Sequence, residues 1–212
     1  NDVGEFAAFA VGAMQGERHV LHFVRALAEA SRPIVAAVQG RAVGIGTTML
    51  LHCDFVLLAD DAQLSTPFVN LALVPEAGST LLMPARIGHA RAYEMFALGE
   101  AMDARTALHL GIANRIVPLA KLHEEAAEIA ARLARLPAGS LAATKRLMRD
   151  PAARYGSAEA LQFELEALAA EVATPSARAV LKQALRRRWR LVSLAIAVLV
   201  LAPTLTIRQA VR

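Results

Sequence analysis

The feature that most constrains this chain lies between residues 34 and 59. There a β-branched run, IVAAV, meets Gly40, Gly44 and Gly46 and leads through TTMLL into a second apolar run, DFVLLA. Runs that are apolar throughout, rather than alternating, suit strands buried on both faces. Glycines let the backbone turn sharply, and residues 47–51 after them predict the opening of a helix. The first N–H groups of a helix have no internal partner and lie at the positive end of its dipole. A strand–glycine–helix passage can therefore hold an anion or a developing oxyanion. A tight connection with no ligand is the other reading of the same residues. The glycine spacing is not GxGxxG, and no Gly-Lys-Ser/Thr follows to make a P-loop.

The flanking sequence alternates between the two periods. Val20, Leu21, Val24, Leu27 and Ala28 have helical spacing within 17–30, and Ser31-Arg32-Pro33 stops that helix. Residues 1–16 read as a loop with a short helix. After 54–59, Asp60-Asp61 turns the chain, 62–65 is extended, and 67–78 is irregular around Pro67, Pro75 and Gly78. Helices are predicted over 79–87 and 90–98, ended near Gly88 and Gly99. Asp103 is placed to cap a helix over 104–110, with Gly111 just past its end, and 112–117 predicts a further strand. From 119 onward the pattern is helical, with a stripe at Leu122, Ala126, Ile129, Ala130 and Leu133, then helices over 140–148, 158–172 and 175–185. Strands and helices alternate first and helices dominate later, which is α/β with a helical C-terminal part.

Charge and composition remove several function classes. The net charge is +4, but residues 186–212 hold Arg186, Arg187, Arg188, Arg190, Arg208 and Arg212 and no acid. The rest of the chain is therefore mildly acidic, which disfavours sequence-independent phosphate binding by the body. Aromatics are 5% of the chain, too few for a base-stacking surface. One Cys excludes a disulfide framework and a Cys-rich zinc site. His19 and His22 have helical spacing without an acid or Cys to complete a ligand set, so no metal site is expected. Residues 191–207 are uncharged, near the lower limit for a membrane span, and contain Pro203. A packed helix, a membrane anchor and a foreign end are three open readings of that segment. No signal-peptide pattern opens the chain, and the expectation is a cytoplasmic protein, with tethering through 191–207 as the alternative.

Glu76 is the residue that most invites a chemical role. It sits in VNLALVPEAGSTLLMP, where Leu73, Val74 and Leu81 are expected to desolvate it, the condition that suits a glutamate to general base work. The alternative is an acid in a first helical turn after Pro75, opposite the positive dipole end. His52-Cys53 is a poor nucleophile pair, because adjacent residues on a helix do not face each other. Glu164 and Glu166 read as surface acids, and Arg186–Arg190 as a solvated basic helix end.

In order and nearly without gaps, RPIVAAVQGRAVGIGTTMLLHCDFVLLADDAQLSTPF and PEAGSTLLMPARIGHARAYEMFALGEAMDARTALHLGIANRIVP resemble the crotonase superfamily, the enoyl-CoA hydratase/isomerase family. The likeness runs from Asn1 to about Arg188. It implies a crotonase-like (ClpP/crotonase) spiral of ββα units over 1–118, a helical trimerisation region over 119–188, and an atypical tail over 189–212. NDVGEF is similar to the end of the loop that covers the CoA thioester, which implies that the family's first strands have no counterpart here.

The family's hydratases place two glutamates on opposite sides of a water. The matching positions are Thr48 and Phe68, neither of which handles a proton as a carboxyl does. STPFVNLALVPEAGST is similar instead to the Δ3,Δ2-enoyl-CoA isomerase branch, where one glutamate serves. The resemblance then implies Glu76 as base, the N–H groups of Ile45 and Asn1 as oxyanion donors, and Thr48, Pro67, Phe68 and Leu71 around the acyl chain. It implies an acyl-CoA substrate, no cofactor beyond the CoA the substrate carries, and a homotrimer or dimer of trimers. A hydratase and a non-catalytic CoA-binding subunit are the alternatives.

Overall fold

The structure, a computed structural model, describes residues 19–149 together with Ala170, Thr174, Pro175 and Ala179. In chain order it opens with helix α1 (His19–Glu29), strand β1 (Val35–Val38), strand β2 (Arg41–Val43) and the short helix α2 (Ile45–Thr48). A 3-10 turn over Met49–His52 leads to β3 (Phe55–Ala59) and β4 (Gln63–Ser65). After a 3-10 turn at Val69–Leu71 come α3 (Ser79–Ile87), α4 (His89–Leu98), β5 (Met102–Asp103), α5 (Ala104–His109) and β6 (Arg115–Val117). Another 3-10 turn, Leu119–Lys121, precedes α6 (Leu122–Ala134) and then α7 (Ala138–Arg149).

Two small sheets organise the described strands. The first, in the order β1-β3-β6, is wholly parallel, with Val35 opposite Phe55 and Leu57 opposite Arg115. The second is β2-β4-β5, parallel from Arg41 to Gln63 and antiparallel from Gln63 to Asp103. The chain leaves the first sheet at β1, turns at Gly40 with φ 59°, and enters the second at β2.

Central strand β3 explains where the core sits. Val56 and Leu58 join a cluster with Leu50, Leu64, Met83, Phe96 and Ile112, while Leu57 and Ala59 join another with Val117, Leu122 and Ile129 of α6. Alternate side chains thus enter opposite layers, and both faces are covered, which is why DFVLLA carries no polar alternation. Asn114 extends the ladder beyond β6: its side chain accepts from the Val56 N–H at 2.7 Å and its own N–H donates to the Val56 carbonyl at 2.8 Å.

The predicted elements within 19–149 are all present apart from boundary shifts, and two strands are added. Residues 41–43 form β2 where a glycine turn alone was expected, and Met102–Asp103 pairs with Gln63–Leu64. The helix expected over 47–51 starts earlier, at Ile45, and tightens to 3-10 geometry after Thr48. By contacts the chain divides into two units, Asn1–Arg135 and Leu136–Arg212. α6 packs on β1 and β3 and so lies in the first unit, whereas the sequence reading draws a boundary at 118. Apart from the single positions Ala170, Pro175 and Ala179, the readings made for 1–16, 158–172, 175–185 and 191–207 lie outside the described residues. No helix among the described residues is long and apolar enough to cross a membrane.

Candidate active site

Gly44 makes the turn into α2 possible. Its φ of 57° with ψ of −117° is backbone territory that favours glycine over any residue with a Cβ. Its N–H donates to Ser65 at 2.9 Å, tying the turn to β4, and its carbonyl accepts from the N–H groups of Thr47 and Thr48, each at 2.9 Å. Thr47 reinforces the same junction: its hydroxyl donates to the Ala42 carbonyl at 2.8 Å and accepts from the Ser65 N–H at 3.2 Å. Ile45 follows as the first residue of α2, half-buried, and among the described residues its N–H donates to no carbonyl. The first N–H groups of a helical turn have no partner within it.

Thr48, one turn further, is fully buried, and its hydroxyl donates to Oε1 of Glu76 at 2.5 Å. This contact brings the carboxylate from a segment 28 residues downstream to the glycine turn. Glu76 itself is half-buried. The expectation that Leu73, Val74 and Leu81 desolvate it is corrected: they are 38%, 81% and 71% exposed and turn toward solvent. The contact recorded for the carboxylate comes from the other segment, from Thr48. The alternative of an acid inside a first helical turn also fails, because α3 begins only at Ser79.

The backbone carrying Glu76 is pinned on the far side. The Ser79 N–H and hydroxyl both donate to the Glu76 carbonyl, at 3.0 and 2.6 Å. Ala77 adopts φ 54°, a left-handed conformation that costs a residue with a Cβ about 1–2 kcal/mol. His52, buried at the end of the 3-10 turn, holds the Ala77 carbonyl at 2.8 Å. A carbonyl only accepts, so Nε2 is the protonated nitrogen. The sequence reading weighed His52 only as a partner of Cys53. The two have separate partners, since the Cys53 thiol contacts the Met49 carbonyl at 3.5 Å. The usable signal was the Ala-Gly pair after Glu76, which marks a turn that some neighbouring donor must stabilise.

The remaining site residues are placed unevenly. Phe68 is buried in the larger core cluster, 6.5 Å from Phe96 between ring centroids, and lies beside Gly44, where a Cβ would meet its ring at 3.9 Å. Pro67 is half-buried, and Leu71 is 57% exposed. Asn1 lies outside the described residues. Among the described residues no three of His, Cys, Asp and Glu gather as a metal set would require.

The glycine turn and one carboxylate held by a buried hydroxyl are thus brought together. The sequence profile described as enoyl-CoA hydratase/isomerase matches residues 10–188. The chain belongs to the enoyl-CoA hydratase/isomerase family. Carnitinyl-CoA dehydratase from Proteus mirabilis (strain HI4320) is 35% identical over 123 residues, covering 58% of this chain and 47% of that protein. The protein of that name from Escherichia coli (strain K12) is 37% identical over 118 residues, 56% of this chain and 45% of that one. The chain thus spans about half the length of the curated relatives it matches. Among solved structures, a Magnetospirillum magneticum AMB-1 protein provisionally assigned as an enoyl-CoA hydratase/carnithine racemase aligns with a TM-score of 0.79 at 37% identity, over 89% of this chain and 72% of that one. An enoyl-CoA hydratase/isomerase from Pseudoalteromonas atlantica T6c aligns with a TM-score of 0.67 at 35% identity, over 83% and 68%. The fold is that of the crotonase superfamily, α/β with a helical C-terminal region.

Proposed function

We propose that this enoyl-CoA hydratase/isomerase family member is an isomerase that moves the double bond of a 3-enoyl-CoA to the 2-position, with Glu76 as its only proton carrier. The observation that carries the reading is the Thr48–Glu76 hydrogen bond, which sets one carboxylate beside the glycine turn. In a 3-enoyl-CoA the C2 protons lie between a thioester carbonyl and a double bond. Glu76 takes one of them. The electron pair passes into a dienolate, with its charge on the thioester oxygen. The same carboxyl returns the proton at C4, and the bond order shifts. The reaction carries one proton between two carbons and has no net oxidation, so the substrate's own CoA is the only cofactor involved.

The oxyanion needs donors aimed at it before it forms. We assign this role to the N–H groups of Ile45 and Asn1. Losing one such donor typically costs about 2.7–4 kcal/mol of barrier. Thr48 and Phe68 occupy the positions at which the hydratase pattern places carboxylates, and there they exclude water from the dienolate. Their burial supports this part of the reading. Leu71, being exposed, has less support as an acyl contact than Thr48 or Phe68, with Pro67 between them.

The name of the relatives, carnitinyl-CoA dehydratase, favours a second reading: loss of water from a hydroxyacyl-CoA, or hydration of a 2-enoyl-CoA. That chemistry also needs a proton delivered to the departing hydroxyl, and positions 48 and 68 offer a hydroxyl and a phenyl ring for it. The two readings separate in one assay. The purified chain is supplied with 3-enoyl-CoA and, separately, 2-enoyl-CoA. Conversion of the first, with loss of about 100-fold or more in Glu76→Gln, is the expected result. Hydroxyacyl-CoA formed mainly from the second supports the hydratase reading. CoA binding with neither conversion supports a non-catalytic subunit. We further propose that the chain assembles as a homotrimer or a dimer of trimers.

A further inference from the structure

We propose that Thr48 is the positioning residue of this site: its hydroxyl anchors Oε1 of Glu76 and so leaves Oε2 as the atom that carries the proton. The inference rests on Glu76 being the base. It begins with the proton count. A threonine hydroxyl has one hydrogen to give, and two acceptors lie in reach, the Gly44 carbonyl at 3.3 Å and Glu76 Oε1 at 2.5 Å. The Gly44 carbonyl already receives two backbone N–H groups. An ionised carboxylate is the stronger acceptor, so the hydroxyl donates to Glu76.

The backbone of Glu76 is fixed separately, through Ser79 on its carbonyl and His52 on the next one. What remains free is the side chain, whose torsions decide where the carboxylate points. Thr48 removes that freedom from a rigid place. It is fully buried on α2, and its branched Cβ restricts its own rotamer. With Oε1 engaged, the proton taken from C2 goes to Oε2 and is returned from Oε2, so both transfers occur on one face of the acyl chain.

The test compares Thr48→Val, which keeps the shape and removes the hydroxyl, with Thr48→Ser, which keeps the hydroxyl. Two reactions are followed in each: turnover of 3-enoyl-CoA, and exchange of the C2 protons of butyryl-CoA for deuterium, read by proton NMR. The exchange needs the base and the oxyanion donors but no double bond. In Thr48→Val, kcat and the exchange rate are expected to fall about 10- to 100-fold, the range set by misplacing a catalytic group, while KM stays within about twofold. Thr48→Ser recovers most of the rate. Added to Glu76→Gln, Thr48→Val costs nothing more. Should Thr48→Val fail to fold by thermal unfolding, Thr48→Ala takes its place. A hydroxyl-free variant as fast as wild type, beside an inactive Glu76→Gln, overturns the role of Thr48 and leaves the base assignment standing. Equal loss in the Val and Ser variants overturns it too. A Glu76→Gln protein as fast as wild type, or a wild-type chain that performs neither reaction, overturns the base assignment and this inference with it.

Discussion

Asp103 shows what a single side chain contributes away from the site. It precedes α5 and accepts from the Thr106 N–H at 2.8 Å, the N-cap predicted from sequence. Its carboxyl is held below the usual carboxylate range, first by its side-chain hydrogen bond to Thr106 and then by the backbone bond there. A folded-state value below the unfolded one means that folding favours the charged form. The contribution is therefore present above the unfolded value, about 3.9 for an aspartate, and is lost as pH falls through the lowered folded value. Asp103→Ala is expected to be less stable than wild type at neutral pH, with the gap narrowing in acid. Urea unfolding at about pH 7 and about pH 2 measures it, and a gap that ignores pH would remove the cap's charge from the explanation. At the site, the same scale separates what could be read locally from what could not. Glu76, Thr48 and Ile45 were identifiable from the motif they resemble. His52 was not, because its partner is the Ala77 carbonyl, 25 residues away, and only the Ala-Gly turn there hints that a donor is needed.

Among the elements, β3 sets the stability of the fold. Its side chains enter two separate clusters, so a truncation there opens a void that neither layer can close alone. Leu57→Ala, at a fully buried position, is expected to cost about 2–5 kcal/mol. Leu81→Ala, on the exposed side of α3, is expected to stay within about 0.5 kcal/mol. Equilibrium urea denaturation of the pair gives both numbers, and comparable losses would refute the two-layer account. The elements read best from sequence were those with a full period to show: α3 matched residue for residue, and β1 and β3 came within one residue. β2 and β5 were missed because residues 41–43 lie inside the glycine-rich passage and Met102–Asp103 is only two residues long. They exist as strands only because β4 lies between them.

At the level of the whole molecule, the first unit leaves a run of apolar side chains exposed, among them Val69, Leu71, Leu73, Val74 and Leu81. Where exposed apolar side chains gather into one patch, they mark contact sites more often than monomer surface. The proposed trimer is therefore expected to appear in light scattering coupled to size exclusion, as a mass three or six times 22.6 kDa. A mass of one chain, at concentrations of about 10 μM or above, would overturn it. Single-chain burial explains why the desolvation expected for Glu76 was misread. The sequence puts Leu73, Val74 and Leu81 beside the glutamate along the chain, but the fold leaves all three exposed.

Taken by itself, the sequence determined the buried apolar strands, the need for glycine where the chain enters α2, the helix capped by Asp103 and the family pattern that singles out Glu76. These follow from rules that act over a few residues: side-chain period, capping and allowed φ. Tertiary structure alone decided which group meets the carboxylate, that Leu73, Val74 and Leu81 stay exposed, and that β1 and β2 belong to different sheets. Those outcomes depend on segments 28 residues apart being packed together, and the energy that packs them is burial in a shared core, to which local period is blind.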